Sequence, residues 1–548
     1  CTASNTVLTA VATAGSGTIT GYQWVLDGVT NLGTAATETV STPGSYTVIV
    51  TNSNGCSTTS AALVVSEALL PTASISGPTS ICTGTTETLT ATATAGSGTI
   101  ATYQWVLNGV TNVGTNSATY DATAAGSYTV IVTNSFGCAT TSAAHVLNAI
   151  TTPMSGTYTI GAGPASCTNY VNMALAISDL NTRGVSANVT FDIASGHTET
   201  APAGGYTINY CGLSDVLKPS ATQTVTFQGG AVAAVITAGV GTGTFDAMVK
   251  LVGADYITFD KVSLQESAGN TTTTTQMEAG YALLKCDGTD GANNNTISNS
   301  SITLNKTNTA SVGIYMNNHT GSSTADLAFT GTVDQPGYDK FKSSNNRFFG
   351  NSIQNVYHGI QLIGSQSTTP NLYDLNNSAG IAGTGNTITN FGGGAVASQT
   401  MGVFAAYQED LNILNNTING GAGTSAAQVN GIQYGNSIGG TISNNTITMT
   451  SSNTSSSTLG MFILSGGATK TITITDNIVE NCTLSTASPF TGILTQAGLT
   501  VPLNIVITGN TVRNNSFTAT TGAVTAISNT IVATGAVTIS NNTVENNS

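Results

Sequence analysis

TITITDNIVENC (471–482) is a phrase the chain keeps repeating: TISNNTITMT (441–450), NIVITGNTVRNN (504–515) and TISNNTVENN (538–547) carry the same cadence, as does ILNNTINGG (413–421). Aligned on one asparagine, the series reads Asn295, Asn351, Asn386, Asn416, Asn445, Asn477, Asn510 and Asn542, and its last five spacings are 30, 29, 32, 33 and 32 residues. A regular period of that size is the mark of a solenoid, in which each repeat is one coil. Two positions after the Asn stand Ile297, Ile353, Ile388, Ile418, Ile447, Val479, Val512 and Val544, an aliphatic column. Three positions before it, Ile413, Ile442, Ile474, Ile507 and Ile539 form another. The position just before it takes only Asn, Gly or Asp, the residues that tolerate positive φ, so a tight left-handed turn should join two short strands.

Parallel strands of successive coils lie about 4.8 Å apart, so the Asn side chains are expected to bond from coil to coil as a ladder (Asn351, Asn386, Asn416, Asn445, Asn477, Asn510, Asn542). A second, less regular ladder is expected four positions on, at Asn299, Asn355, Asn390, Asn481, Asn514 and Asn546. A third strand starts at each of GIYM (313), GIQL (359), GVFA (402), GIQY (431), GMFI (460) and GILT (492). Three strands per coil predict a parallel β-helix over 150–548. A cap region is expected over about 150–250 and coils over about 251–548. Within the cap, CTNYVNMALAISDLNTRG (167–184) predicts a helix, with Thr168 as its cap, Tyr170, Met173, Ala174, Ile177 and Leu180 on one face, and Gly184 at its end.

The first 150 residues are a tandem duplication. TAGSGTITGYQWVLDGVTNLGT (13–34) returns as TAGSGTIATYQWVLNGVTNVGT (94–115), and GSYTVIVTNSNGC (44–56) as GSYTVIVTNSFGC (126–138). Short alternating strands, frequent turns and one Trp per unit predict two immunoglobulin-like or PKD-like sandwiches, 1–66 and 67–149, with Trp24 and Trp105 in their cores. The first lacks the leading strand that PTASIS (71–76) supplies to the second. Cys1 with Cys56 and Cys82 with Cys138 are the simple pairings; the alternative is that each pair lies at opposite ends of its sandwich. Cys167 and Cys211 are further disulfide candidates.

Composition excludes several classes. Only 7% of the 548 residues are charged, the net charge is −14, and there are 11 Lys/Arg. So few cations cannot follow a phosphate backbone, and nucleic acid is not an expected partner. No apolar run approaches a membrane span. The eight Cys form no CxxC, which argues against zinc and iron–sulfur sites and for an extracellular compartment.

Residues 150–548 resemble the right-handed parallel β-helix modules of very large Bacteroidota surface proteins, with YVNMALAISDLNTRGVSANVTFDI (170–193) matching their cap helix and first strand. GSYTVIVTNSNGC resembles the immunoglobulin- or PKD-like repeats of the same proteins. The resemblance implies export by the type IX system and a role at the cell surface as an adhesin or filament, with matrix or cell-surface glycans, or further copies of the protein, as partners.

Chemistry concentrates in one place. From the third-strand Gly to the next ladder Asn takes 14 to 18 residues in later coils, but 38 from Gly313 to Asn351 and 27 from Gly359 to Asn386. Both insertions (318–346 and 364–380) leave the same corner of adjacent coils and should lie side by side. They carry the candidate ligand residues Asp334, Tyr338, Asp339, Phe341, Tyr373 and Asp374, with Lys340 and Lys342 among them. The opposing reading is a loop folded over its own aromatics. Deleting 320–344 is expected to abolish adhesion and leave the coils folded. DGTDGANNN (287–295) has the oxygen-rich look of a Ca²⁺ loop through Asp287 and Asp290, although a turn-rich loop reads the same; no other cofactor is expected. Glu480, Arg513 and Glu545 should stack as a surface salt ladder, and His358, beside Tyr357, should pack.

No facing carboxylate pair is evident along the regular coils. A non-enzymatic structural or adhesive surface protein is therefore the expected function, and a carbohydrate-active β-helix enzyme using Asp334, Asp339 or Asp374 the alternative. The missing first strand, and an uncapped coil at Val544, predict that the chain is either an excerpt of a longer protein or a link in a strand-complemented polymer.

Overall fold

The computed structural model describes residues 5–242, 245–329, 338–366, 372–392, 399–420, 428–451, 457–465, 470–484, 489–497, 504–517, 523–530 and 535–548. The chain divides into residues 1–150 and 151–548, and strands dominate both units. No helix among the described residues is long and apolar enough to cross a membrane.

The first unit holds the two duplicated sandwiches. In the second, a three-stranded antiparallel sheet (Thr72–Ser76, Glu87–Thr94, Thr119–Ala122) faces a larger sheet built on Ile100–Leu107 and Gly126–Asn134. Alternation places Leu89, Trp105, Tyr128, Val130 and Val132 in one core. The Trp105 indole N–H donates to Ser117 O at 3.0 Å, and the Tyr128 hydroxyl to Ala124 O at 2.7 Å. The first sandwich repeats these contacts with Trp24 to Ala35 O and Tyr46 to Thr42 O. Among the described residues its smaller sheet has two strands, Thr6–Thr9 and Thr37–Val40.

The cysteines depart from the simple pairing. Cys82, Cys138 and Cys167 are disulfide-bonded. Cys56 is a free, exposed thiol, so the Cys1–Cys56 bridge is not formed; Cys1 lies outside the described residues. The turn that carries Cys56 bonds to itself, with the Asn52 side chain accepting from the Cys56 N–H at 3.0 Å. Cys211 bonds Cys286, which was not among the sequence candidates. The bridge passes over Gly253 of the intervening coil, where a Cβ would stand 2.7 Å from Cys286 Cβ. It thus clamps three coils together.

The second unit is a parallel solenoid of three sheets, the third of them ten strands long, from Tyr206–Asn209 to Val524–Asn529. Its strands begin at Met154–Ile160, so the region expected to be a cap is already coiled. There the inner column of the first sheet is aromatic: Phe191, Phe227 and Phe259 stack at 4.6 and 4.7 Å. The column continues through Ile297, Phe348, Ala379, Ile413, Ile442 and Ile474 to Ile507. The second sheet stacks Leu264, Ile302, Ile353, Ile388, Ile418, Ile447, Val479 and Val512, each 1% exposed or less.

The helix runs Met173–Arg183, later than the sequence pattern suggested. Asn172, not Thr168, caps it by accepting from the Leu175 N–H at 3.0 Å. Asn169–Tyr170 is instead a strand beside Thr159–Ile160, and Ala174 faces outward. Gly184 ends the helix with φ 62°.

The asparagine ladder runs from Asn351 to Asn542. Each Asn Oδ1 from Asn386 onward accepts the backbone N–H and the side-chain amide of the Asn one coil earlier, at 2.9–3.2 Å. Each Nδ2 also donates to a first-sheet carbonyl one coil back, such as Ile413 O from Asn445 at 2.8 Å. Two register details differ from the alignment. Asn295 stands one corner earlier, in a separate ladder with Asn346 and Asn377, and Ser300 takes the Asn351 position in its coil. Ile297 accordingly pairs with Phe348, and Ile302 with Ile353.

The second proposed ladder is a set of corners. Asn299, Asn355, Asn390, Asn481, Asn514 and Asn546 all hold φ between 52° and 55°, the left-handed region Asn accepts most readily after Gly. Part of the expected ladder forms: Asn390 Nδ2 donates to Asn355 Oδ1 at 2.5 Å and Asn299 Nδ2 to Asp260 Oδ1 at 2.6 Å, each one coil back. Nearer the C-terminal end the following residue does the bonding: Asn515 Oδ1 accepts from the Cys482 N–H, and Asn547 Oδ1 from the Asn515 N–H. Gly350, Asn415, Asn444, Asp476, Gly509 and Asn541 are left-handed as expected; Gly385 is not.

The third-strand glycines have a steric cause. A Cβ on Gly431 would meet Ile447 Cγ2 at 2.5 Å and Gly460 O at 2.6 Å, and Gly313, Gly359, Gly402, Gly460 and Gly492 are equally crowded. Only Gly lets the third sheet approach the β-branched column of the second this closely.

Candidate functional site

The two long insertions do leave neighbouring coils: Val312–Thr320 and His358–Ile363 pair in parallel with Ile314 opposite Ile360. Their described parts meet, because Phe341, at the end of the short helix Tyr338–Phe341, packs with Leu372 and Phe329.

Beneath them lies a buried ion pair. Lys285, fully buried, donates to Phe341 O and sits 4.1 Å over the Phe341 ring and 3.8 Å from Asp374. Asp374, 1% exposed, accepts from the Ser343 N–H at 2.8 Å. Burial pushes the Lys285 ammonium down and the Asp374 carboxyl up, each against the pull of the other's charge. Such a pair is costly to break, because loss of one partner leaves an uncompensated charge in the interior.

The candidate ligand residues therefore separate. Phe341, Tyr373 and Asp374 are buried at 0%, 3% and 1%, with Tyr373 edge-on to Tyr407, so none of the three can touch a ligand at the surface. Asp339 is open, with its side chain 88% exposed and 3.5 Å from Lys342. Tyr338 opens the short helix, and Asp334 lies outside the described residues. Deleting 320–344, expected from the sequence to leave the coils folded, would strip Phe341 from over the buried Lys285.

Beside Asp339 is a groove of about 320 Å³. It is lined by corners that precede first-sheet strands, Asp255–Tyr256, Asn293–Asn294 and Ser344–Asn345, together with Leu375, Asp339, Lys340 and Lys342. Tyr256, Asn294 and Asn345 are left-handed, at φ 55°, 59° and 59°, which turns their side chains out of the coil at successive levels. A left-handed backbone suits Asn but is an outlier for Tyr. Asp255 accepts from the Asn293 N–H at 2.6 Å. Burial pushes its carboxyl up to about 7, with Asp290 adding to the shift and the Asn293 N–H opposing it.

Around the groove charges pair in sequence. Lys218 lies 3.0 Å from Asp290 and 3.5 Å from Asp215, and Lys340 lies 3.2 Å from Asp215. With Lys285 and Lys342, this region holds four of the chain's 11 Lys/Arg. The Ca²⁺ candidates are already engaged: Asp287 accepts from the Thr289 N–H and hydroxyl at 2.7 Å, and Asp290 from Lys218. Among the described residues no three His, Cys, Asp or Glu gather as a metal site. Elsewhere Arg513 bonds Glu480 at 2.8 Å on a half-exposed face, and Glu545 lies in register with both. Burial lowers the His358 pKa to about 4, which keeps the ring neutral where its Nδ1 accepts from the Met401 N–H.

Asp255, Tyr256, Asn293, Asn294 and Asn345 escaped sequence reasoning because they look like ordinary turn residues. Their common signal is position, one to three residues ahead of each first-sheet strand. Chemically the groove offers acceptors, amides that both donate and accept, ammonium donors and one aromatic ring.

These features define a class: an all-β protein joining antiparallel sandwiches to a parallel three-sheet solenoid. No protein-family model and no curated protein matches the chain. Among solved structures it is similar to the fibronectin(III)-like modules of Clostridium thermocellum CbhA, at 14% identity over 27% of this chain and 87% of that one, TM-score 0.18. It is also similar to the three N-terminal domains of the bacteriophage RB49 highly immunogenic outer capsid protein (Hoc), at 22% identity over 29% of this chain and 60% of that one, TM-score 0.22. Neither likeness says more of this chain than its own strands do.

Proposed function

We propose that the chain is a non-enzymatic structural and adhesive protein of the extracellular surface, in which a stiff β-helix presents a glycan-binding groove and immunoglobulin- or PKD-like sandwiches act as spacers. The Tyr46 and Tyr128 hydroxyls, each bonded four residues upstream, support the immunoglobulin-like assignment. A right-handed coil and type IX export follow from the resemblance to Bacteroidota surface proteins. The observation that carries the reading is the groove, where Tyr256, Asn294, Asn345 and Asp339 line one opening on a backbone held by coil-to-coil pairing. Vicinal hydroxyls suit carboxylates and amides, and a sugar face suits a Tyr ring.

A second reading has one observation in its favour. Asp255, held near neutral pKa in the same groove as the open carboxylate Asp339, has the protonation behaviour of a general acid in a glycoside-cleaving site. A glycan panel incubated with the whole protein, scored for retention and for released product, tests both. Asp339→Ala and Tyr256→Asn leave the coils intact and should each weaken glycan retention at least about tenfold, a loss of about 1.4 kcal/mol. Product release abolished by Asp255→Asn would favour the enzyme. Retention unchanged in both variants would remove the groove from either account.

A further inference from the structure

We propose that the side chains of Lys285 and Asp374 condense to an isopeptide amide, a covalent cross-link that the folded chain makes on itself. Both are buried, with Lys285 Nζ 3.8 Å from Asp374 Oδ1. The Phe341 ring lies 4.1 Å over Nζ and packs with Leu372 and Phe329, which closes the pair off from bulk water. An amine and a carboxyl fixed near contact react as one molecule, and a dry site keeps the product from hydrolysis.

The step balances without a further reactant. One ammonium proton passes to the carboxylate, leaving a free amine beside a carboxylic acid. Burial, which pushes the Lys285 ammonium down and the Asp374 carboxyl up, favours this neutral pair and frees the amine as a nucleophile. The amine lone pair attacks Cγ, the Nζ–Cγ bond forms and the Cγ–Oδ2 bond breaks. Oδ2 leaves as water with two of the three ammonium protons.

The surrounding hydrogen bonds fit the product better than the ion pair. Asp374 Oδ2 is buried without a hydrogen bond among the described residues, the nearby Gln408 side chain bonding Asn377 Nδ2 and Ala406 O. In the amide the one remaining N–H keeps Phe341 O, Oδ1 keeps the Ser343 N–H, and the oxygen without a partner is the one lost. Both buried charges vanish, and their desolvation cost with them. The cross-link also extends the neighbouring disulfide. Cys211, Cys286 and Asp374 follow Tyr206–Asn209, Ala279–Lys285 and His358–Ile363, the first, third and fifth strands of the ten-stranded sheet. Bonds at the adjacent residues Lys285 and Cys286 would thus tie five successive coils at one corner.

Mass spectrometry of the whole chain, reduced and denatured, is the test. The chain is expected to be lighter by one water than its sequence. Trypsin should leave Lys285 uncut and yield 262–306 joined to 348–470. Asp374→Ala should restore the full mass and the cleavage after Lys285, a readout that does not depend on how stably the variant folds. A wild-type mass equal to that of the sequence overturns the proposal. So does a water still missing in Asp374→Ala, or one that maps to a succinimide at Asp287–Gly288 or Asp290–Gly291.

Discussion

Asn445→Ala is the most direct test of what holds the solenoid together. The side chain is fully buried, its Oδ1 accepts from the Asn416 N–H and Nδ2 at 2.9 Å, and its Nδ2 donates to Ile413 O at 2.8 Å and Asn477 Oδ1 at 2.9 Å. Truncation deletes four hydrogen bonds and leaves the buried Asn416 N–H without its acceptor. Asn416 Nδ2 keeps Ala379 O, and Asn477 Oδ1 keeps the Asn445 N–H, so those two are only partly deprived. An orphaned buried donor costs about 1–3 kcal/mol, and each lost bond about 1 kcal/mol net, so about 3–5 kcal/mol is expected. Asn481→Ala is the control. That residue is exposed and left-handed at φ 55°, and Ala there costs about 1–2 kcal/mol of backbone strain. Because solenoids open locally, native-state hydrogen exchange at 413–418 is the informative assay, supported by urea unfolding of the whole chain. Exchange should accelerate about 100-fold or more in Asn445→Ala, from tenfold per 1.4 kcal/mol. Acceleration below about threefold, or a smaller effect than Asn481→Ala, would refute the ladder as a source of stability.

Gly431→Ala should destabilise by about 2 kcal/mol or more, read as a lowered urea midpoint, since the Gly460 carbonyl 2.6 Å from the new Cβ cannot move without breaking the third sheet. Asp255→Asn should show a pH signature. The folded carboxyl sits near 7 and the unfolded one near 4, so the folded state is penalised increasingly as pH rises through that window. The variant should match wild type at pH 4 and exceed it at pH 8 by up to about 4 kcal/mol, and a pH-independent difference would contradict the buried-acid assignment.

Sequence alone determined the features that arise within one coil. A tight corner accepts only residues at ease with positive φ, which is why Asn415, Asn444, Asp476, Gly509 and Asn541 announce themselves. The inner column of the second sheet is aliphatic throughout, and the third sheet needs Gly where it approaches that column. Because these requirements recur every 29 to 33 residues, period and strand count were both legible. The two insertions were legible as neighbours for the same reason.

Tertiary structure decided what depends on the next coil. The Asn295 coil is followed by a long insertion, so periodicity could not say which corner that residue occupies; pairing of Ile297 with Phe348 did. The early coils have Ala194, Gly230 and Val262 at the ladder position, three residues after Phe191, Phe227 and Phe259, and so carry no Asn signature. Asp374 and Phe341 looked like surface chemistry because charge and aromaticity are local properties. Their burial comes from Lys285, far back in the chain, which the fold places directly beneath them. The groove is likewise assembled from corners 38 to 51 residues apart, Tyr256, Asn294 and Asn345. Each is an ordinary turn residue until parallel stacking sets them side by side.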